Sequence, residues 1–412
     1  MKRILFILHT PPPVHGASVV GAYIKNSELI NTAFSCRYIN LGTSRTVDEI
    51  GKNPLAKVGR YVSILFRELW QLVVFRPHTV YLTISAGGAG FYKDFPIAML
   101  AGLLGAKRVY HFHNKGISAR RSHQPDDLLC RMVFYKAEVI LLSKYLYYDI
   151  APYVPESRVS YCANGVGSEA VSSEQQAGSS KQQVVSSKQQ VVSSEQQAVS
   201  SKQQAGSSEQ QAVSGKQQAV SGKQQAVSGV RTEILFLSNL IESKGLYVLL
   251  DACALLQHKG LHFSCSLVGG EGDVSVEELS RQIDERKLNS CVTYKGKLYG
   301  SEKEAILKQS DIFTLATFYS NECMPLVILE AMQHGLAVVS TTEGAIPEIV
   351  NDGVTGYLVP GKDAAALADK LELLIRDKEL CKKMGQEGRR RYEAEYTLTA
   401  FEQRMIKILD RC

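Results

Sequence analysis

A seven-residue unit recurs eight times without interruption between Ser172 and Val227, in the middle of this 412-residue chain. The units vary little, from SSEQQAG and SSKQQVV to SGKQQAV. A seven-residue period invites a coiled-coil reading, but that needs apolar residues three and four apart. Here the two apolar positions of each unit are adjacent, and two units have Gly at one of them. Ser and Gly lower helix propensity further. With so little to bury, the tract does not offset the entropy of ordering it, and a disordered or weakly helical insert is expected. A helix packed on a partner is the alternative. Any core must therefore come from the two flanking stretches, each the size of one domain.

Both stretches carry the same rhythm. Short apolar, β-branched runs alternate with amphipathic segments of 10–15 residues, the pattern of parallel sheets with helices on both faces. In the first half, strands are predicted at Arg3–His9, Thr79–Ile84, Arg108–His113, Val139–Ser143 and Arg158–Ala163, with helices at Gly16–Ser27, Val58–Phe75, Pro96–Gly105 and Asp126–Ala137. The second half opens on a strand at Glu233–Ser238 and a helix at Gly245–Lys259, and closes on a helix at Leu398–Asp410. The predicted organisation is a first Rossmann-like domain over 1–166, a repeat-containing linker over 167–229, and a second Rossmann-like domain over 230–396. A C-terminal helix over 397–412 is expected to cross back to the first. Two such domains leave a cleft between them, and ligands of open α/β sheets bind beyond the carboxyl ends of the strands.

The chemistry is therefore sought just after each strand. Tyr319-Ser-Asn-Glu322-Cys-Met-Pro325-Leu-Val-Ile-Leu-Glu330 follows the apolar run Ile312–Ala316. Pro325 suits a helix start, and a helix N-terminus suits an anion such as a diphosphate. Two carboxylates beside it, Glu322 and Glu330, suit hydroxyl partners better than phosphate. Lys244-Gly245 also stands at a strand end and helix start, where an ammonium reaches a phosphate. Gly344-Ala-Ile-Pro347-Glu348 follows another strand and permits close backbone approach.

Composition narrows the alternatives. None of the nine cysteines forms a C-x-x-C pair or stands at zinc-finger spacing from a His, so no cysteine metal site and no disulfide framework is expected. No D-x-D element argues for a bound ion. Residues 1–171 carry a formal charge of +9, 172–228 of +2, and 229–412 of −5. A basic first half suits an anionic partner. The Arg60–Trp70 segment fits either an ordinary core-facing helix or a membrane-facing patch with snorkelling Arg and an interfacial Trp. Met1-Lys-Arg reads as the approach to a buried strand rather than a signal peptide, and no run reaches the ~20 residues of a membrane span.

Taken in order, the second-half motifs resemble retaining glycosyltransferase family 4, from Glu233 to about Tyr396. The family's Glu-seven residues-Glu pattern matches Glu322 and Glu330, its Lys-Gly matches Lys244-Gly245, and its Gly turn before Pro-Glu-Ile-Val matches Gly344–Val350. One departure is Ser238-Asn239, where many members have Gly-Arg and use the Arg on the donor diphosphate. The first half matches more weakly, through the Gly16 loop, His113 and Asn164-Gly165.

The resemblance implies a GT-B fold and transfer from a nucleoside diphosphate sugar with retention of configuration, requiring no cofactor and no metal. It implies that Glu330 holds the ribose, Glu322 the donor sugar, and His113 contacts that sugar from the first domain. The predicted catalytic set is His113, Glu322 and Lys244. The donor is expected to meet Gly16, Asn239, Lys244, Gly269, Glu322, Met324, Pro325, Leu326 and Glu330, with Asp94 and His111 on the acceptor side. The expected acceptor is a glycan or polyprenyl-linked glycan of surface polysaccharide biosynthesis. Cytoplasmic work at the inner face of the plasma membrane follows, with no nucleic acid partner. The rival readings are a GT-B nucleotide-sugar epimerase or hydrolase, and an inactive scaffold with the repeats as an interaction arm.

Overall fold

The structure, a computed structural model, describes residues 1–12, 14–42, 54–167 and 231–412. The repeat tract, and the expectation of disorder for it, lie outside the described residues.

The first lobe is a six-stranded parallel sheet of β1 (Arg3–Leu8), β2 (Ser35–Asn40), β3 (Thr79–Ile84), β4 (Lys107–Phe112), β5 (Glu138–Leu141) and β6 (Val159–Tyr161), in the order β2-β1-β3-β4-β5-β6. The central strands are buried on both faces, so they read as continuous apolar runs. The edge strand β2 and the short helix before it, Glu28–Ala33, do not stand out in the sequence. Strand β2 is only half buried and carries Ser35, Arg37 and Asn40, so it has no such run. The helices packed on this sheet include α1 (Gly16–Asn26), α2 (Glu28–Ala33), α3 (Pro54–Val74), α4 (Gly88–Leu103), α5 (Ile117–Arg120) and α6 (Gln124–Phe134).

Helix α4 starts eight residues before the predicted Pro96. Its buried Phe91, Asp94, Ile97, Ala98 and Ala101 keep the three-and-four spacing of a helical face straight through the proline. The Gly-rich start hides this in the sequence.

The second lobe repeats the plan. It contains β7 (Thr232–Leu237), α7 (Leu246–His258), β8 (Phe263–Val268), α8 (Val276–Glu285), β9 (Val292–Tyr294), α9 (Gly300–Gln309), β10 (Ile312–Leu315), α10 (Leu326–Gln333), β11 (Ala337–Thr341), α11 (Ile346–Ile349) and β12 (Gly356–Val359). Its six parallel strands run in the order β12-β11-β10-β7-β8-β9. Helices α12 (Ala364–Arg376) and α13 (Lys378–Arg391) complete it. The arrangement is the two-domain GT-B fold.

The last helix, α14 (Leu398–Arg411), belongs to the other lobe. Its Phe401, Met405 and Leu409 are buried in one cluster with Ile4, Phe6 and Leu8 of β1. Lys2 Nζ donates to Leu409 O at 2.8 Å. The crossing lies where Val166 pairs with Thr397. A Cβ on Gly165 would meet Phe401 Cβ at 2.7 Å, so a larger residue there would push the helix away.

A candidate nucleotide-sugar cleft between two lobes

The strand order of the second sheet reverses between β7 and β10, and such a switch point opens a crevice beyond the strand ends. The predicted residues after these two strands meet there. Gly245 has φ 85°, and a Cβ on it would collide with the Ala316 carbonyl after β10, so glycine lets the two loops touch. Lys244 Nζ consequently lies 2.6 Å from Glu322 Oε2 and 4.7 Å from the centroid of the Tyr319 ring. Thr317 Oγ1 stands 3.4 Å from the same carboxylate oxygen and 3.3 Å from Ser243 O, tying both loops together. The Lys244 and Glu322 side chains are 18% and 9% exposed, so water screens the pair only partly.

Helix α10 begins at Leu326, with Pro325 as its N-cap rather than its first turn. Among the described residues no side chain caps this end, so its first N–H groups have no side-chain acceptor. Glu330, inside α10, meets α9, where Lys303 Nζ lies 2.8 Å from its Oε1. Gly344 has φ 58° and packs under the Glu322 loop, while Ala345 N donates to Cys323 O at 2.6 Å. Asn239 Oδ1 accepts from Gly270 N at 3.3 Å, linking the loops after β7 and β8. A Cβ on Gly269 would overlap the Ser238 carbonyl.

Across the gap, the first sheet reverses order between β1 and β3. Four histidines gather at its strand ends. The His111 and His113 ring centroids are 4.2 Å apart, and those of His9 and His15 are 5.7 Å apart. His15 caps α1, accepting from Ser18 N at 3.3 Å, and open space lies over Gly16. Burial, then the charges of Lys93, His15 and His113, lowers the His9 pKa to about 3. Burial, then His15, lowers His113 to about 3. Both rings are neutral hydrogen-bonding groups at pH 7.

His111 is fully enclosed. Its Nδ1 meets the Tyr81 hydroxyl at 2.5 Å, and its ring lies behind His113. Asp94 is also enclosed. It accepts from Ser85 N at 2.9 Å and lies 3.6 Å from Lys93 Nζ, so it fixes the loop after β3.

The lobes touch through Lys115 and Glu343, through Ser143 and Glu348, and through Asn164 N, which lies 3.2 Å from Met324 Sδ. A separate cavity of about 360 Å³, lined by Arg131, Tyr153 and Arg158 among others, opens near the start of β5. That is the opposite end of the first sheet from the cleft, so it takes no part in this site.

Residues 221–391 match the family model described as glycosyl transferases group 1. This stretch is a glycosyl transferases group 1 domain. It holds the Lys244–Glu322 pair, α10 and the Gly344 turn. Two curated relatives resemble it. The putative colanic acid biosynthesis glycosyltransferase WcaL of Salmonella typhimurium is 30% identical over 183 residues, 43% of this chain and 44% of that protein. The amylovoran biosynthesis glycosyltransferase AmsK of Erwinia amylovora is 32% identical over 182 residues, again 43% and 44%. The chain thus matches less than half the length of either relative.

Among solved structures, Anabaena HepE in complex with UDP superposes with a TM-score of 0.69 at 16% identity, covering 100% of both chains. Sucrose-phosphate synthase from Thermosynechococcus elongatus gives 0.67 at 15% identity, covering 100% of this chain and 99% of that one. At such identities the likeness is one of fold.

Within the group 1 domain, Lys244, Glu322, Met324, Pro325 and Leu326 gather around one helix end, and Asn239 and Gly269 form the adjoining wall. Glu330, within α10, has a partner that sequence reasoning missed. Lys303 lies in GSEKEAILKQ, where nothing separates it from a solvated helix lysine. Thr317 and Glu343 were also missed, because a threonine after a strand and a glutamate before a glycine turn carry no pattern of their own. From the first lobe, His113 and Lys115 reach the cleft edge. His111 and Asp94 stand behind them.

Proposed function

We propose that the protein transfers a glycosyl unit from a nucleoside diphosphate sugar to a hydroxyl of a glycan or polyprenyl-linked glycan in surface polysaccharide biosynthesis, with retention of configuration and no required metal. The observation that carries this reading is the Lys244–Glu322 pair, 2.6 Å apart beside the uncapped start of α10. A transferase of this kind must neutralise a leaving diphosphate, and an ammonium with helix N–H groups supplies that charge without reorganising at the moment of reaction. When the diphosphate arrives, Lys244 turns from Glu322 to a phosphate oxygen. Glu322 is then left to accept from hydroxyls of the donor sugar. Glu330, paired with Lys303, accepts from the ribose. His113, neutral, contacts the sugar from the opposite lobe. Approach of the lobes excludes water and limits donor hydrolysis. The acceptor is presented at the cytoplasmic face of the plasma membrane, beside the basic first lobe.

The relatives' names, which speak of colanic acid and amylovoran biosynthesis, support the polysaccharide setting. A solved neighbour in complex with UDP-glucose supports the donor class. The test begins with a screen of nucleoside diphosphate sugars for thermal stabilisation, which a bound donor produces by mass action. The stabilising donor is then incubated with and without lipid-linked glycan acceptors. Acceptor-dependent nucleotide release is expected, with the donor's anomeric configuration kept in the product. Release of free sugar or of an isomerised donor, equal with and without acceptor, would replace this reading by a hydrolase or epimerase.

A further inference from the structure

Helix α3 turns its apolar side outward. From Val58 on, its Val58, Val62, Phe66, Leu69, Trp70 and Val73 recur at three- and four-residue spacing and are 42–67% exposed. The opposite side is buried, through Ile64, Glu68 and Leu72. Ordinary surface helices do the reverse. A contiguous face of this kind reaches the size at which patches on monomers mark an interaction site, roughly 300–600 Å².

Charge identifies the occupant. The only acid of this helix, Glu68, is fully enclosed on the inner side, so the outward face carries no negative charge. Arg60 and Arg67 follow one another at seven-residue spacing along one edge of the apolar stripe, and Arg67 is exposed. A second copy packed face to face would set these arginine edges against each other, because a two-fold contact pairs a patch with itself. An anionic bilayer accepts both features: apolar side chains enter between the headgroups while arginines stay with the phosphates. No helix among the described residues is long and apolar enough to cross a membrane, so the contact is lateral.

We propose that the exposed face of α3 docks this protein on a bilayer containing anionic phospholipid. The Tyr61 hydroxyl, near the start of the helix, donates to Lys93 O at 2.8 Å, and Lys93 adjoins the histidine cluster. That bond joins α3 to α4, the helix that carries Lys93, on the same lobe as the histidines. What the membrane offers there, a lipid-linked acceptor, rests on the reading above. The docking itself does not.

Trp70 is the single tryptophan of the chain, so intrinsic fluorescence reports on this face alone. The full chain is mixed with phosphatidylcholine vesicles, with and without phosphatidylglycerol. Expected are a blue-shifted emission and co-flotation with the anionic vesicles, both lost in Phe66→Glu. Binding should weaken about fivefold in Arg67→Ala. Phe66→Glu should keep the parent's stabilisation by nucleotide sugar, which separates failure of docking from failure of the donor site. Emission unchanged by either vesicle would overturn the proposal. So would a lipid-free blue shift that grows with protein concentration as the mass doubles, which would assign the face to a second copy.

Discussion

Lys244 Nζ and Glu322 Oε2 stand 2.6 Å apart, on loops that leave the two strands flanking the switch point of the second sheet. The pair keeps a cation aimed at the start of α10 before any phosphate is present. Lys244→Ala removes the charge and leaves Glu322 where it is. A charged hydrogen bond to phosphate contributes about 1.5–3 kcal/mol, so the transfer rate should fall roughly 10- to 150-fold. Because Glu322 is left buried without its cation, the melting temperature should fall as well, so rates are compared at a temperature where both proteins are folded. Initial rates and a thermal melt decide it, and a variant that transfers at the parent's rate would remove Lys244 from the mechanism.

The backbone behind Glu322 admits a sharper test. Gly344 has φ 58°, and a Cβ there would sit 2.5 Å from Glu322 O and 2.6 Å from Cys323 O. Gly344→Ala therefore pays the left-handed conformational cost of about 1–2 kcal/mol and also pushes the Glu322 loop. Gly353 has φ 75° with nothing near its missing Cβ, so Gly353→Ala carries the conformational cost alone. Both variants should melt lower, but only Gly344→Ala should lose most of its turnover. Equal activity in the two would mean that the loop has room to shift without consequence.

What could be read from the sequence follows from where the signals lie. The second sheet's strands are short apolar runs closed by glycine or polar turns, and its chemistry sits within a few residues of each strand end, so Lys244, Glu322 and Pro325 were legible one motif at a time. Edge strand β2 was not, because half of it faces water. Lys303 was not, because its role comes from the approach of α9 to α10, a contact between segments with no shared pattern. For α3 the sequence left two readings open, core-facing or membrane-facing. The 3.6-residue period reports that a stripe exists and says nothing of which side the sheet covers. The structure shows that both stripes exist, with the smaller one buried.

The histidine cluster predicts a pH dependence of stability. His9 and His113 titrate near 3 in the folded chain and near 6.5 when unfolded. Between these values the unfolded state binds more protons, so stability rises with pH. The contribution is complete above about pH 6.5 and is lost as pH falls toward 3, at up to ~1.4 kcal/mol per pH unit for each ring. The melting temperature should drop between pH 7 and pH 5, and His113→Asn should drop less. Parallel curves for parent and variant would show that His113 is solvated when folded. Transfer activity, by contrast, should show no inflection from His113 between pH 5 and 8.

Glu68 gives the opposite sign. It is fully enclosed beneath α3, its two carboxylate oxygens have no hydrogen-bond partner among the described residues, and burial raises its pKa to about 9. The folded chain holds this proton at neutral pH, whereas the unfolded chain releases it near 4.5. Stability from this group is therefore present below about pH 4.5 and is lost as pH rises toward 9. Glu68→Leu replaces a buried unpaired acid with an apolar side chain of similar length. It should raise stability at pH 8 by about 1–3 kcal/mol and by less at pH 5, read from denaturant melts at the two pH values. Because the substitution lies on the inner side of the helix, vesicle binding by the outer face should be unchanged. A Glu68→Leu protein that melts below the parent at pH 8 would mean that the carboxylate is ionised and has a partner when the chain is folded.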